Sequence, residues 1–124
     1  MNSNVKLGTI IVKSMKESVE FYSEVMGLAI DSEYNLGAMG RITLMRGAGE
    51  AMVELIESPS YPTGFWSVGI SVDDMDEAMA KYREKGAKVL GEPVPITGGK
   101  CAFIEDPNGV RLAIVYKENW VREH

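Results

Sequence analysis

The sequence predicts an α+β fold made of two copies of a βαβββ unit, and three observations carry that prediction. First, moving the second half back by 60 positions sets Val72 on Val12, Met75 on Met15, Glu77 on Glu17, Met79 on Val19 and Tyr82 on Tyr22. Five matches of residue type at one offset mark an internal duplication. Second, each half opens with a short apolar run followed by a capped segment of helical periodicity. Third, the second half closes on a hairpin. Asp106-Pro107-Asn108-Gly109 is strong turn chemistry between Cys101–Glu105 and Val110–Tyr116, whose flanks are β-branched and aromatic.

In chain order, Leu7–Val12 reads as the first strand. Ser14-Met15-Lys16-Glu17 is a capping box, and Met15, Val19, Tyr22 and Met26 then recur at helical spacing until Gly27 ends the helix. Strands are expected at Ala29–Tyr34, Arg41–Arg46 and Ala51–Glu57, separated by Gly37/Gly40 and by Gly47-Ala48-Gly49. A Pro/Ser/Gly connector follows, and the order begins again. Trp66–Val72 is a strand. Asp73 or Asp74 caps a helix carrying Met75, Met79 and Tyr82, Gly86 ends it, and Val89-Leu90 is a short strand before the hairpin. The whole is one domain, with module 1 at about residues 5–58, the connector at 59–64, module 2 at about 65–117 and a tail at 118–124. On the last strand Leu112, Ile114 and Tyr116 alternate with Arg111, Ala113 and Val115, so one face is set to meet a helix and the other to line a cavity.

The totals exclude several function classes. A chain of 124 residues with 45% hydrophobic and 25% charged residues has the composition of a soluble globular protein. A net charge of −5 argues against nucleic acid or an anionic membrane surface as the main partner. No apolar run approaches the roughly 20 residues of a membrane span, and the N-terminus lacks the apolar core of a signal peptide. A single cysteine permits no intrachain disulfide, which places the expected home in a reducing cytoplasm. Gly98-Gly99-Lys100 lacks the spacing of a phosphate loop, and Cys101 has no histidine partner nearby for nucleophilic chemistry, so it reads as a small buried residue.

The duplicated βαβββ units, Phe21-Tyr22 in the first helix, Met26-Gly27-Leu28 after it and Glu105-Asp106-Pro107-Asn108-Gly109 in the last hairpin resemble the vicinal oxygen chelate superfamily. That family contains glyoxalase I, extradiol dioxygenases and bleomycin- and mitomycin-binding resistance proteins. The resemblance covers Leu7 to Tyr116 and implies a curved mixed sheet forming a cup. It also implies four metal-ligand positions, one on each of four strands, which fall here on Leu7, Glu54, Ser67 and Ala113. Only Glu54 is a ligand of the family type. The sole histidine is His124, the last residue. A divalent site needs three or four converging N, O or S donors, so no metal and no other cofactor is expected.

The expected function is metal-free binding of a partly apolar small molecule, as in the drug-sequestering members. The alternative is a metal-independent, glyoxalase-like lyase or isomerase with Glu54 as general base and Arg111 or Ser67 as electrophilic helper. A third reading is a partner-binding module closed by its own side chains. The candidate ligand-binding residues are Glu54, Ser67, Arg111, Ala113, Leu7, Trp66, Met45 and Met52. Each has a plainer reading. Glu54 could be tied to Arg41, Arg111 or Ser67, Arg111 could be a rim charge, and Met39, Met45 and Met52 could be core filling. Trp120 reads as a tail anchor or dimer contact. A homodimer is expected, because open sheet edges need covering and the family covers them by pairing.

Overall fold

The computed structural model describes residues 3–121, so His124 lies outside the described residues. The elements are β1 (Ser3–Val12), α1 (Met15–Glu20), β2 (Ala29–Asn35), β3 (Arg41–Arg46), β4 (Met52–Glu57), β5 (Gly64–Val72), α2 (Met75–Glu84), β6 (Lys88–Val89), β7 (Val94–Ile96), β8 (Gly99–Glu105), β9 (Arg111–Lys117) and α3 (Glu118–Val121). The α+β class and the duplicated βαβββ plan are both present. β1 ends at Val12 and β5 at Val72, and the helices begin at Met15 and Met75, so the 60-residue offset holds in the elements themselves. The chain packs as two compact units. One is Leu7–Trp66, and the other comprises the residues from Ser67 onward together with those before Leu7.

In the first unit the strand order is β2-β3-β4-β1, with β1 parallel to β4 and the other pairs antiparallel. Ser14 accepts the Glu17 N–H at 3.2 Å and starts α1, as the capping motif requires. The Glu57 carboxylate accepts the Met15 N–H at 2.7 Å and ties the helix start to β4. The expected single helix through Met26 divides at Glu20, and residues Phe21–Val25 continue as a π-helix. The wider turn lets Leu28 N–H reach the Tyr22 carbonyl at 2.8 Å, and Gly27 takes the positive φ of 76° that ends the segment. Val12, Met15, Met45 and Leu55 form the buried core between helix and sheet, joined by Val19, Tyr22 and Val53.

In the second unit the order is β5-β9-β8-β6, and β7 pairs with the start of β8 on the edge whose far end pairs with β6. β5 runs parallel to β9, and β8 and β9 make the expected hairpin. Asp74 rather than Asp73 caps α2, accepting the Glu77 N–H at 2.9 Å. Val72, Met75, Ala78, Met79, Ala102, Ile104 and Ile114 form this unit's core. Two elements went unforeseen. β7 contains Pro95 and is too short for periodicity to reveal it. The tail folds as α3, where Trp120 is 6% exposed and lies under the ammonium groups of Lys6 and Lys117, 5.0 and 5.1 Å from its ring centre. No helix among the described residues is long and apolar enough to cross a membrane.

Candidate functional site

Strand alternation and register decide which side chains share a face. In the first unit the core residues Met45, Val53 and Leu55 point toward α1. The opposite face therefore carries Leu7, Thr9 and Ile11 from β1, Met52, Glu54 and Ile56 from β4, and Leu44 from β3. In register, Leu7 sits beside Met52, and Glu54 lies between Thr9 on one side and Leu44 on the other. Leu7, Thr9, Ile11, Leu44 and Met52 are all buried, whereas Glu54 keeps partial exposure. Thr9 Oγ1 donates to Glu54 Oε1 at 2.7 Å. A carboxylate on an apolar face is costly unless hydrogen-bonded, and this contact offsets part of that cost.

Of the residues singled out from the sequence, Leu7, Glu54 and Met52 are thus brought together. Met45 is not. It is 0% exposed and belongs to the core beneath α1, because its register partner Val53 faces the helix. Met39 stands 75% exposed after Gly37. Arg41 pairs in register with Glu57 and lies on the helix-side parity, so Thr9 rather than Arg41 meets Glu54 within this unit. Sequence reasoning missed Thr9. The two residues lie 45 positions apart, and only the parallel register of β1 on β4 joins them.

The connector folds back on the end of the unit. The Tyr61 ring packs on Trp66 with centroids 4.7 Å apart and planes at 57°. Nearby, a groove of about 380 Å³ is lined by Val12, Lys13, Glu57, Tyr61 and Thr63 among others. None of the expected site residues lines it, and its carboxylate is already engaged at the start of α1.

In the second unit the face opposite α2 carries Ser67, Gly69 and Ser71 from β5 and Arg111, Ala113 and Val115 from β9, with Gly69 beside Ala113. Ser67 is 2% and Ala113 7% exposed. Ser71 is buried, and its hydroxyl has no hydrogen-bond partner among the described residues. Arg111 is half-buried and in register with Glu105, whose carboxylate Lys88 reaches at 3.2 Å. Ser67, Arg111 and Ala113 therefore share one face, as the alternation on the last strand requires.

The family resemblance implies a divalent metal, and the residues present do not fit one. Two of the four strand positions, Leu7 and Ala113, carry hydrocarbon side chains, and a neutral serine hydroxyl is a poor donor. Among the described residues no group of three or more His, Cys, Asp or Glu side chains converges.

Comparison with known proteins gives the lineage. The chain is 27% identical over 122 residues to the lactoylglutathione lyase of Escherichia coli O157:H7, an alignment spanning 87% of this chain and 88% of the relative. It is 27% identical over 120 residues to the probable lactoylglutathione lyase of Synechocystis sp., spanning 86% and 89%. Among solved structures, a hypothetical protein from Bacillus halodurans C-125 superposes with a TM-score of 0.84 at 24% identity, covering 95% of this chain and 96% of that one. The methylmalonyl-CoA epimerase of Mycobacterium tuberculosis superposes with a TM-score of 0.80 at 18% identity, covering 97% and 91%. The fold is shared with both. The sequence profile of the Glyoxalase/Bleomycin resistance protein/Dioxygenase superfamily matches residues 6–114, and the chain belongs to that superfamily.

Proposed function

We propose that this chain binds a small molecule with an apolar body and a cationic or hydrogen-bond-donating group, using the first unit's face around Glu54 and no metal of the family type. One observation carries the reading. Glu54 is a partly exposed carboxylate set among buried apolar side chains and held by Thr9 at 2.7 Å. A few fixed polar groups on an apolar lining are what orient a small ligand. Leu7 and Met52 supply apolar contact, and a charge-assisted hydrogen bond to Glu54 supplies direction. Trp66 is a further candidate contact of this unit, and Ser67, Arg111 and Ala113 are candidate contacts on the second unit's own face. Pairing of two copies belongs to the same proposal, since β2 leaves an open sheet edge in the first unit.

A second reading is a metal-independent lyase or isomerase in which Glu54 acts as general base. The relatives favour it, because those matched over most of both chains are named as lactoylglutathione lyases. Matched probe pairs test the first reading by NMR titration of the full chain: tryptamine against 3-ethylindole, and phenethylamine against ethylbenzene. The amine should bind about tenfold tighter than its amine-free partner, and Glu54→Gln should remove that preference. Equal affinities in wild type sink the reading. Turnover of S-lactoylglutathione that Glu54→Gln abolishes would move the protein to the second.

A further inference from the structure

We infer that Thr9 is a positioning residue for the site, holding the Glu54 carboxylate in the orientation that meets a ligand; the inference rests on the Glu54 reading above. A glutamate side chain has three rotatable bonds and, left alone, spreads its carboxylate over several rotamers. On this face the neighbours of Glu54 in register and along its strands are Thr9, Leu44, Met52, Ile56, Leu7, Ile11, Ile42 and Arg46. Of these, Thr9 and Arg46 carry side-chain donors; Thr9 makes the 2.7 Å bond to Glu54, while Arg46 Nε lies 4.0 Å from Asp31 Oδ1. Thr9 is built to be rigid. It is β-branched, 1% exposed, mid-strand in β1 and flanked on its face by buried Leu7 and Ile11. Its register partner is Glu54 itself, so the hydroxyl and the carboxylate meet side by side across a parallel pair of strands. At 2.7 Å the contact lies at the long end of the range for charge-assisted O–H···O bonds. The bond at Oε1 narrows the set of rotamers open to the carboxylate. A ligand group then meets an oriented acceptor and pays less ordering entropy on binding.

The role predicts a pattern that a merely structural threonine would not give. Thr9→Val keeps shape and volume but removes the donor, and Thr9→Ser keeps the donor but loses a methyl group. With the same probe pairs, Thr9→Val should lower the amine preference about tenfold while leaving binding of the amine-free probes unchanged. Thr9→Ser should retain the preference. If Thr9→Val does not fold by circular dichroism, Thr9→Ala serves as the second donor-free variant with the same expectation. A Thr9→Val or Thr9→Ala protein that keeps the full preference, while Glu54→Gln loses it, overturns the positioning role and leaves the Glu54 reading standing. A loss that Thr9→Ser shares equally overturns it as well, since packing and not the hydroxyl would then be responsible. Absence of any amine preference in wild type overturns both.

Discussion

At the scale of single residues, a backbone hydrogen bond decides the behaviour of the Asp106 carboxyl. Asp106 organises the hairpin turn. Its Oδ1 accepts the Val110 N–H and the Asn108 N–H, each at 2.8 Å. The Val110 amide is the main influence holding this carboxyl below its ordinary value of 3.8. Desolvation opposes it, and the Asn108 backbone and side-chain amides add to the lowering. Because the folded value is depressed, the stability contributed by Asp106 is present above the unfolded value and lost as pH falls through the folded one. Melting temperature followed against pH should therefore decline below pH 3.8. Asp106→Ala should melt lower at neutral pH and show a flatter acid limb. An unchanged acid limb would remove the turn carboxylate from the account. Tyr82 runs the other way, since burial against the α2 core raises its phenol.

At the scale of elements, close backbone approach sets limits that side-chain pattern does not. Gly99 opens β8 opposite Lys117 of β9. A Cβ at Gly99 would strike the Tyr116 carbonyl and stand 3.0 Å from the Lys117 Cα. Backbone cannot rotate away as a side-chain tip can. The neighbouring Gly98 carbonyl also accepts the Glu118 N–H at 3.1 Å, so the same corner starts α3. Gly99→Ala should cost about 3 kcal/mol in urea denaturation, in the upper range of overpacking. By contrast, a Cβ at Gly49 meets nothing within 4 Å, so Gly49→Ala should change stability by less than about 0.5 kcal/mol. Equal effects at the two glycines would disprove the close-approach argument.

At the scale of the whole molecule, membership of the superfamily and the donor set point in different directions. Of the positions that the family resemblance implies, the one on β4 carries Glu54, and those on β1, β5 and β9 carry Leu7, Ser67 and Ala113. One carboxylate without an imidazole cannot supply the ligand count that tight divalent binding requires. Elemental analysis of purified protein should find less than about a tenth of an equivalent of zinc, nickel, iron or manganese. Added ions should leave the melting temperature unchanged, because linkage stabilises only when ligand concentration exceeds its dissociation constant. Stoichiometric metal lost together with Glu54→Gln would return the protein to the metal-dependent members.

Local rules by themselves determined the duplication, the first helix start at Ser14, the second to within Asp73 or Asp74, the Asp106–Gly109 turn and most strand centres. Each of these depends on residues within a few positions of one another, where propensity, capping and alternation act directly. That the four positions implied by the family resemblance hold a single family-type ligand could be read as well, since donor chemistry is a property of residue type. The site was legible only in part. Glu54 could be named, but its partner could not, because Thr9 reaches it through a pairing of strands 45 positions apart. Met45 looked like a lining residue because methionine suits both cavities and cores, and only its register beside Val53 assigned it to the helix side. The division of the first helix into α and π turns followed from the close of its last turn onto Leu28, a demand set by packing rather than by propensity. Tertiary structure decided what strand register decides, namely which residues from distant segments share a face.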